Sequence, residues 1–72
     1  MHEVDARGLA CPLPLLKAKQ ALNQLESGER LVVRATDEGS VRDFKTFAEL
    51  SGNVLLESTQ VDGCYRYTLE KA

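Results

Sequence analysis

Residues 7 to 14 read Arg7-Gly8-Leu9-Ala10-Cys11-Pro12-Leu13-Pro14, and a run follows in which Leu15, Ala18, Ala21, Leu22 and Leu25 recur at intervals of three and four. That spacing puts the five on one face of a helix, which the sequence predicts to stop at Ser27-Gly28. A proline is favoured at the first helical position, because its fixed φ suits the helix and its missing N–H would have had no partner there. Pro12 fits that slot, which makes Cys11 the expected N-cap. The steric restriction before a proline also favours the extended backbone an N-cap needs. A thiolate placed there gains from the partial positive charge of the helix end and from the free amide of Leu13 or Leu15, so a lowered thiol pKa is expected. Pro14 is tolerated in the first turn, although it makes a helical Leu13 less comfortable.

The rest of the chain supplies the layers around this helix. His2-Glu3-Val4-Asp5-Ala6 alternates and predicts a first strand. Arg30 to Thr36 is rich in β-branched residues and predicts a second. Ser40-Val41-Arg42-Asp43 has the form of a capping box, and Val41, Phe44, Phe47 and Ala48 then make an apolar stripe ending at Gly52. Val54 to Val61 and Cys64 to Lys71 read as strands joined by a tight turn at Asp62-Gly63. The order β-α-β-α-β-β predicts an α/β two-layer sandwich with both helices on one face of a four-stranded mixed sheet and the other face solvated.

With 72 residues, the chain is expected to form a single domain over 1–72. No stretch approaches the ~20 apolar residues of a membrane span, and the short segment before the first strand suggests no signal peptide. A net charge of −2 offers little attraction for phosphates, so tight direct nucleic-acid binding is not expected. Two cysteines 53 positions apart, without an export signal, point to free thiols in a reducing cytoplasm.

Cys11 is the candidate reactive residue. A cysteine chosen only for packing has no reason to stand where Ser, Asp, Asn or Thr would cap better. Acyl transfer wants a base and an orienting group beside the thiol, and His2 is the only histidine. A redox dithiol wants C-x-x-C spacing and a structural zinc about four ligands; neither is present in the sequence. What remains is a lone thiol suited to carrying a covalent group between other proteins, with no cofactor and no metal. The alternative is a non-catalytic interaction or regulatory module in which the C-P-x-P segment only shapes a helix start.

Gly8-Leu9-x-Cys11-Pro12-x-Pro14, the downstream Gly28-Glu29, Thr36-Asp37 and the segment SVRDFKTFAELSGN together resemble the TusA family of small sulfur carriers over essentially the whole chain. The resemblance implies a β-α-β-α-β-β sandwich in which Cys11 carries sulfur as a persulfide. It further implies a cysteine desulfurase or a rhodanese-type protein as donor, and a DsrE-like or other thiol protein as acceptor. The destinations it implies include tRNA thiolation, cofactor biosynthesis and sulfur oxidation. Two positions depart from the family pattern, Glu38 where Pro is common and Asn53 where His is common.

Around the thiol, Gly8, Pro12 and Pro14 are expected to shape the site. Leu13, Leu16 and Lys17 fall outside the apolar stripe and form a candidate docking patch. Arg7 and Lys17 are candidates for stabilising a persulfide anion, or are simply solvated charges. Cys64 shares a sheet face with Arg66 and Thr68, opposite Tyr65, Tyr67 and Leu69, and is read as structural or incidental, with a resolving thiol as the alternative.

Overall fold

A computed structural model describes residues 2–72, built as β1 (His2–Ala6), α1 (Leu13–Leu22), β2 (Arg30–Ala35), α2 (Ser40–Ser51), β3 (Val54–Val61) and β4 (Cys64–Glu70). The strands form one sheet in the order β1-β2-β4-β3. β1 runs parallel to β2, with Ala6 opposite Ala35, whereas β4 runs antiparallel to both β2 and β3. Parallel neighbours need a crossover, and α1 supplies it. The mixed sandwich expected from the sequence is therefore the fold.

The two sheet faces differ as the alternation requires. One carries Ala6, Leu31, Val33, Ala35, Tyr67 and Leu69, all fully buried beneath Ala18 and Leu22 of α1 and Phe44 of α2. The other carries ion pairs between Arg34 and Glu3, Arg30 and Glu70, and Arg66 and Glu57, laid across neighbouring strands. At the tip of the β3–β4 hairpin, Asp62 and Gly63 both have positive φ, 51° and 77°. This is the turn that Asp-Gly favours.

Two interactions fix α2 on the sheet. The Phe44 ring stacks on Tyr67 with centroids 4.4 Å apart. The buried Ser40 hydroxyl donates to the Asp37 carbonyl at 2.7 Å and lies 2.7 Å from the Tyr67 hydroxyl. Ser40 is thus the first residue of the helix and its side chain points inward, so the expected capping box does not form. Gly39 takes the N-cap place, and the Asp37 carboxylate accepts from its amide at 3.0 Å. Val41, expected in the apolar stripe, is 44% exposed.

α1 also ends sooner than its apolar spacing suggests. After Leu22 the amides of Gln24 and Leu25 bond three residues back, to Ala21 and Leu22, which tightens the chain out of the α-helix. The Leu22 carbonyl is further claimed by the Lys71 ammonium at 2.6 Å. Leu25 still packs against the core, from a turn.

Because Phe44 has no exposed surface and forms half of the stacked pair, Phe44→Ala should cost about 3–5 kcal/mol. That is a large share of the stability a domain of this size commonly has. The urea-unfolding midpoint should fall accordingly.

Candidate functional site

β1 and β2 are parallel neighbours, so the loops leaving their ends, 7–12 and 36–39, emerge side by side. Each leads into a helix. The Gly8 amide donates to the Thr36 hydroxyl at 2.9 Å and ties the loops together, while Gly8 itself sits at φ 81°, where a side chain would be strained. The starts of α1 and α2 are consequently brought to one place. Cys11 lies there, exposed and free of any disulfide.

The local geometry at Cys11 differs from the sequence expectation. α1 begins at Leu13, and Pro12 is its N-cap, with its carbonyl accepting from Leu16 at 3.1 Å. The Leu13 amide, which a capping Cys11 would have left free, is already used by the Ala10 carbonyl at 2.9 Å. Cys11 therefore belongs to the turn before the helix, across a cis bond to Pro12, and makes no cap. Pro14 is buried in the first turn, where its lack of an N–H leaves nothing unpaired.

What the thiol does meet is the other helix. Its Sγ donates to Asp43 Oδ2 at 2.5 Å, and Asp43, half-buried, is held in the first turn of α2 by its amide bond to the Gly39 carbonyl at 3.1 Å. A carboxylate that accepts from S–H favours the protonated thiol. The Cys11 pKa is accordingly raised: by the hydrogen bond to Asp43 first, then by desolvation and by the charges of Asp43 and Asp37, with Arg42 opposing. The lowered pKa expected from a helix-end field is overturned, because the sulfur is hydrogen-bonded to the Asp43 carboxylate while the Leu13 amide is spent on the Ala10 carbonyl.

Gly39 makes this contact possible. A β-carbon there would stand 3.3 Å from Cys11 Cβ, 3.6 Å from its Sγ and 2.9 Å from Asp37 Oδ2. Asp37, Gly39 and Asp43 were thus not among the site residues expected from sequence. The cue available was a glycine flanked by two acids at a helix start, where close approach of another backbone is a common reason for glycine.

Of the remaining candidates, Leu13 and Leu16, at the start of α1, are 47% and 45% exposed, and Lys17 is exposed with them. Arg7 folds back on Asp5, with Nε 2.9 Å from Oδ1 and a second guanidinium nitrogen 3.0 Å from Oδ2, and holds that carboxyl down at about 2. Arg7 is thereby committed to Asp5. An open groove of about 580 Å³ runs between the helices, lined by Leu15, Lys19, Arg42, Asp43, Phe47 and Leu50 among others. Asp43 thus serves both the groove and the thiol. Cys64 lies at the start of β4 beside the hairpin turn, and its sulfur is 3.9 Å from the Tyr65 carbonyl.

The comparisons agree with this architecture. The family model described as Sulfurtransferase TusA matches residues 2–71. The Sulfur carrier protein TusA of Allochromatium vinosum is 50% identical over 71 residues, covering 99% of this chain and 93% of that protein. The crystal structure of a SirA-like protein from Desulfitobacterium hafniense superposes with a TM-score of 0.86 at 32% identity, covering 97% of this chain and 96% of that one.

If the carboxylate holds the proton on the thiol, the alkylation rate of Cys11 should rise with a midpoint above the free-cysteine value of ~8.5. Following the rate against pH in a Cys64→Ser background checks this, and Asp43→Asn should move the midpoint downward.

Proposed function

The chain belongs to the TusA family of sulfur carrier proteins, and on that premise we propose that it relays a single sulfur atom as a persulfide on Cys11. The observation that carries the reading is the free, exposed thiol at the junction of two helix starts, in a chain matched by the family model over residues 2–71. Loading begins when the Cys11 thiolate attacks the outer sulfur of a donor persulfide. The new S–S bond forms on Cys11, the donor's own S–S bond breaks, and the donor sulfur leaves as a thiolate that takes up a proton. Delivery repeats the exchange, with an acceptor thiolate attacking the outer sulfur and Cys11 as the leaving group. Neither step consumes an oxidant, a metal or an organic cofactor.

The donor is of the cysteine desulfurase or rhodanese type and the acceptor a DsrE-like or other thiol protein, feeding tRNA thiolation, cofactor biosynthesis or sulfur oxidation. The 1–72 stretch acts as one carrier domain. Free thiols and transfer by exchange fit a reducing cytoplasm. No helix among the described residues is long and apolar enough to cross a membrane. Gly8, Pro12 and Pro14 shape the loop that presents the thiol, and the exposed Leu13, Leu16 and Lys17 supply the docking patch around it.

The test is intact-mass analysis after incubation with a cysteine desulfurase and cysteine. A gain of one sulfur is expected in the parent and in Cys64→Ser. Cys11→Ser should gain none and keep its fold, since the serine hydroxyl can make the same hydrogen bond to Asp43. Loading of Cys11→Ser to the parent level would overturn the assignment.

Docking by the leucines has its own measurement. Leu16→Glu should slow protein-to-protein transfer severalfold while leaving the thermal midpoint within a degree or two, because an exposed surface change typically costs about 0.5 kcal/mol or less. A collapse of the midpoint would place Leu16 in the core instead.

A further inference from the structure

We propose that Asp43 sets the sulfur-transfer potential of the carrier, its carboxylate favouring the empty thiol over the loaded persulfide so that Cys11 surrenders sulfur readily. This rests on the carrier reading above and adds a residue to it. In the empty protein the Sγ–H donates to Asp43 Oδ2 at 2.5 Å, a hydrogen bond strengthened by the charge of its acceptor. Loading removes it, because Sγ then bonds a second sulfur and has no hydrogen left to give.

An alkyl persulfide is also a stronger acid than its parent thiol, so near neutral pH the loaded group is an anion. The charged groups facing it are Asp43 and Arg42 from α2 and Asp37 from the loop before α2. Two carboxylates against one guanidinium leave a net repulsion. Loading thus exchanges a favourable contact for an unfavourable one, and delivery reverses the exchange.

The step balances without an outside reactant: Cys11–S–SH and an acceptor thiol give Cys11–SH and the acceptor persulfide. The acceptor thiolate bonds the outer sulfur, the S–S bond to Cys11 breaks, and Sγ departs with the electron pair. It takes a proton from solvent, and the S–H···Oδ2 contact closes again. Reformation of that contact occurs only on the product side of delivery. Gly39 lets the acid and the sulfur stand this close, since any side chain at that position would press on Cys11 and Asp37 together.

The measurement is an equilibrium one. Protein in a Cys64→Ser background is equilibrated without oxygen against a fixed ratio of glutathione persulfide to glutathione near neutral pH, and the fraction carrying one added sulfur is read by intact mass. Asp43→Asn should raise the loading constant roughly two- to fivefold, the range expected of an exposed charge contact, and slow delivery to excess glutathione by a similar factor. Asp37→Asn, which removes a charge but no hydrogen bond to the thiol, should shift loading less. Circular dichroism confirms that each variant is folded, and Asp43→Ser replaces Asp43→Asn should the latter unfold. Loading of the folded Asp43 variant no greater than the parent's, or an equal shift in Asp37→Asn, would overturn the proposal while leaving the carrier reading intact. A parent protein that takes up no sulfur from either the desulfurase or the persulfide would overturn both.

Discussion

The parallel pairing of β1 with β2 is the constraint on which the rest depends. Parallel strands point the same way, so the chain leaves both at one end of the sheet, and each exit here leads directly into a helix. Two helix starts and two loops are thereby brought together, and the Gly8–Thr36 hydrogen bond holds the loops there. The C-terminal ends of parallel strands are where open α/β sheets commonly place their chemistry. In a chain this small, the arrangement allows residues 32 positions apart, Cys11 and Asp43, to share a hydrogen bond. The small side chains of Ala6, Ala18 and Ala35 let α1 lie close on the sheet, and the Phe44–Tyr67 stack with the Ser40 hydroxyl sets α2 at the matching height.

Electrostatics at the junction then turn on distance. A helix start carries a partial positive charge that favours a thiolate, but the effect falls off within the first turn and is modest at exposed sites. The Asp43 carboxylate is a full charge in direct contact with the sulfur. Contact at 2.5 Å outweighs a diffuse field. The resting thiol is therefore kept protonated, and since the thiolate is the species that oxidants attack, an exposed Cys11 gains protection from the neighbour that makes it less acidic. What is lost in thiolate fraction is partly regained in intrinsic nucleophilicity, which rises with pKa.

Most of the architecture was legible in the sequence because it is encoded locally. Alternation marks the strands, Asp62-Gly63 marks the hairpin, and Gly52 marks the end of α2. What was not legible depends on partners far along the chain. Ser40 and Asp43 have the spacing of a capping box, yet Tyr67 draws the Ser40 hydroxyl inward and Cys11 occupies the Asp43 carboxylate. The apolar spacing through Leu25 cannot show that Lys71 will take the Leu22 carbonyl as the helix closes. The one-residue shift that makes Pro12 the cap follows from the turn that spends the Leu13 amide on Ala10. The C-P-x-P string thus pointed to the right family, while its local reading gave Cys11 a helix-end field where the structure gives it the Asp43 carboxylate.

The same topology separates the two cysteines. Tyr65 pairs with Ala35, and Ala35 with Ala6, so β4 begins at the sheet end from which the Cys11 loop departs. Strand alternation nevertheless turns Cys64 to the face opposite Tyr65, among the cross-strand ion pairs and away from the helix layer. The Cys64 sulfur lies 3.9 Å from the carbonyl of its own neighbour, Tyr65, and among the described residues it donates to no carboxylate. A disulfide requires the two β-carbons to approach within about 4.5 Å, which places a geometric demand across the thickness of the sheet on any mechanism using both thiols. Exchange through Cys11 alone makes no such demand.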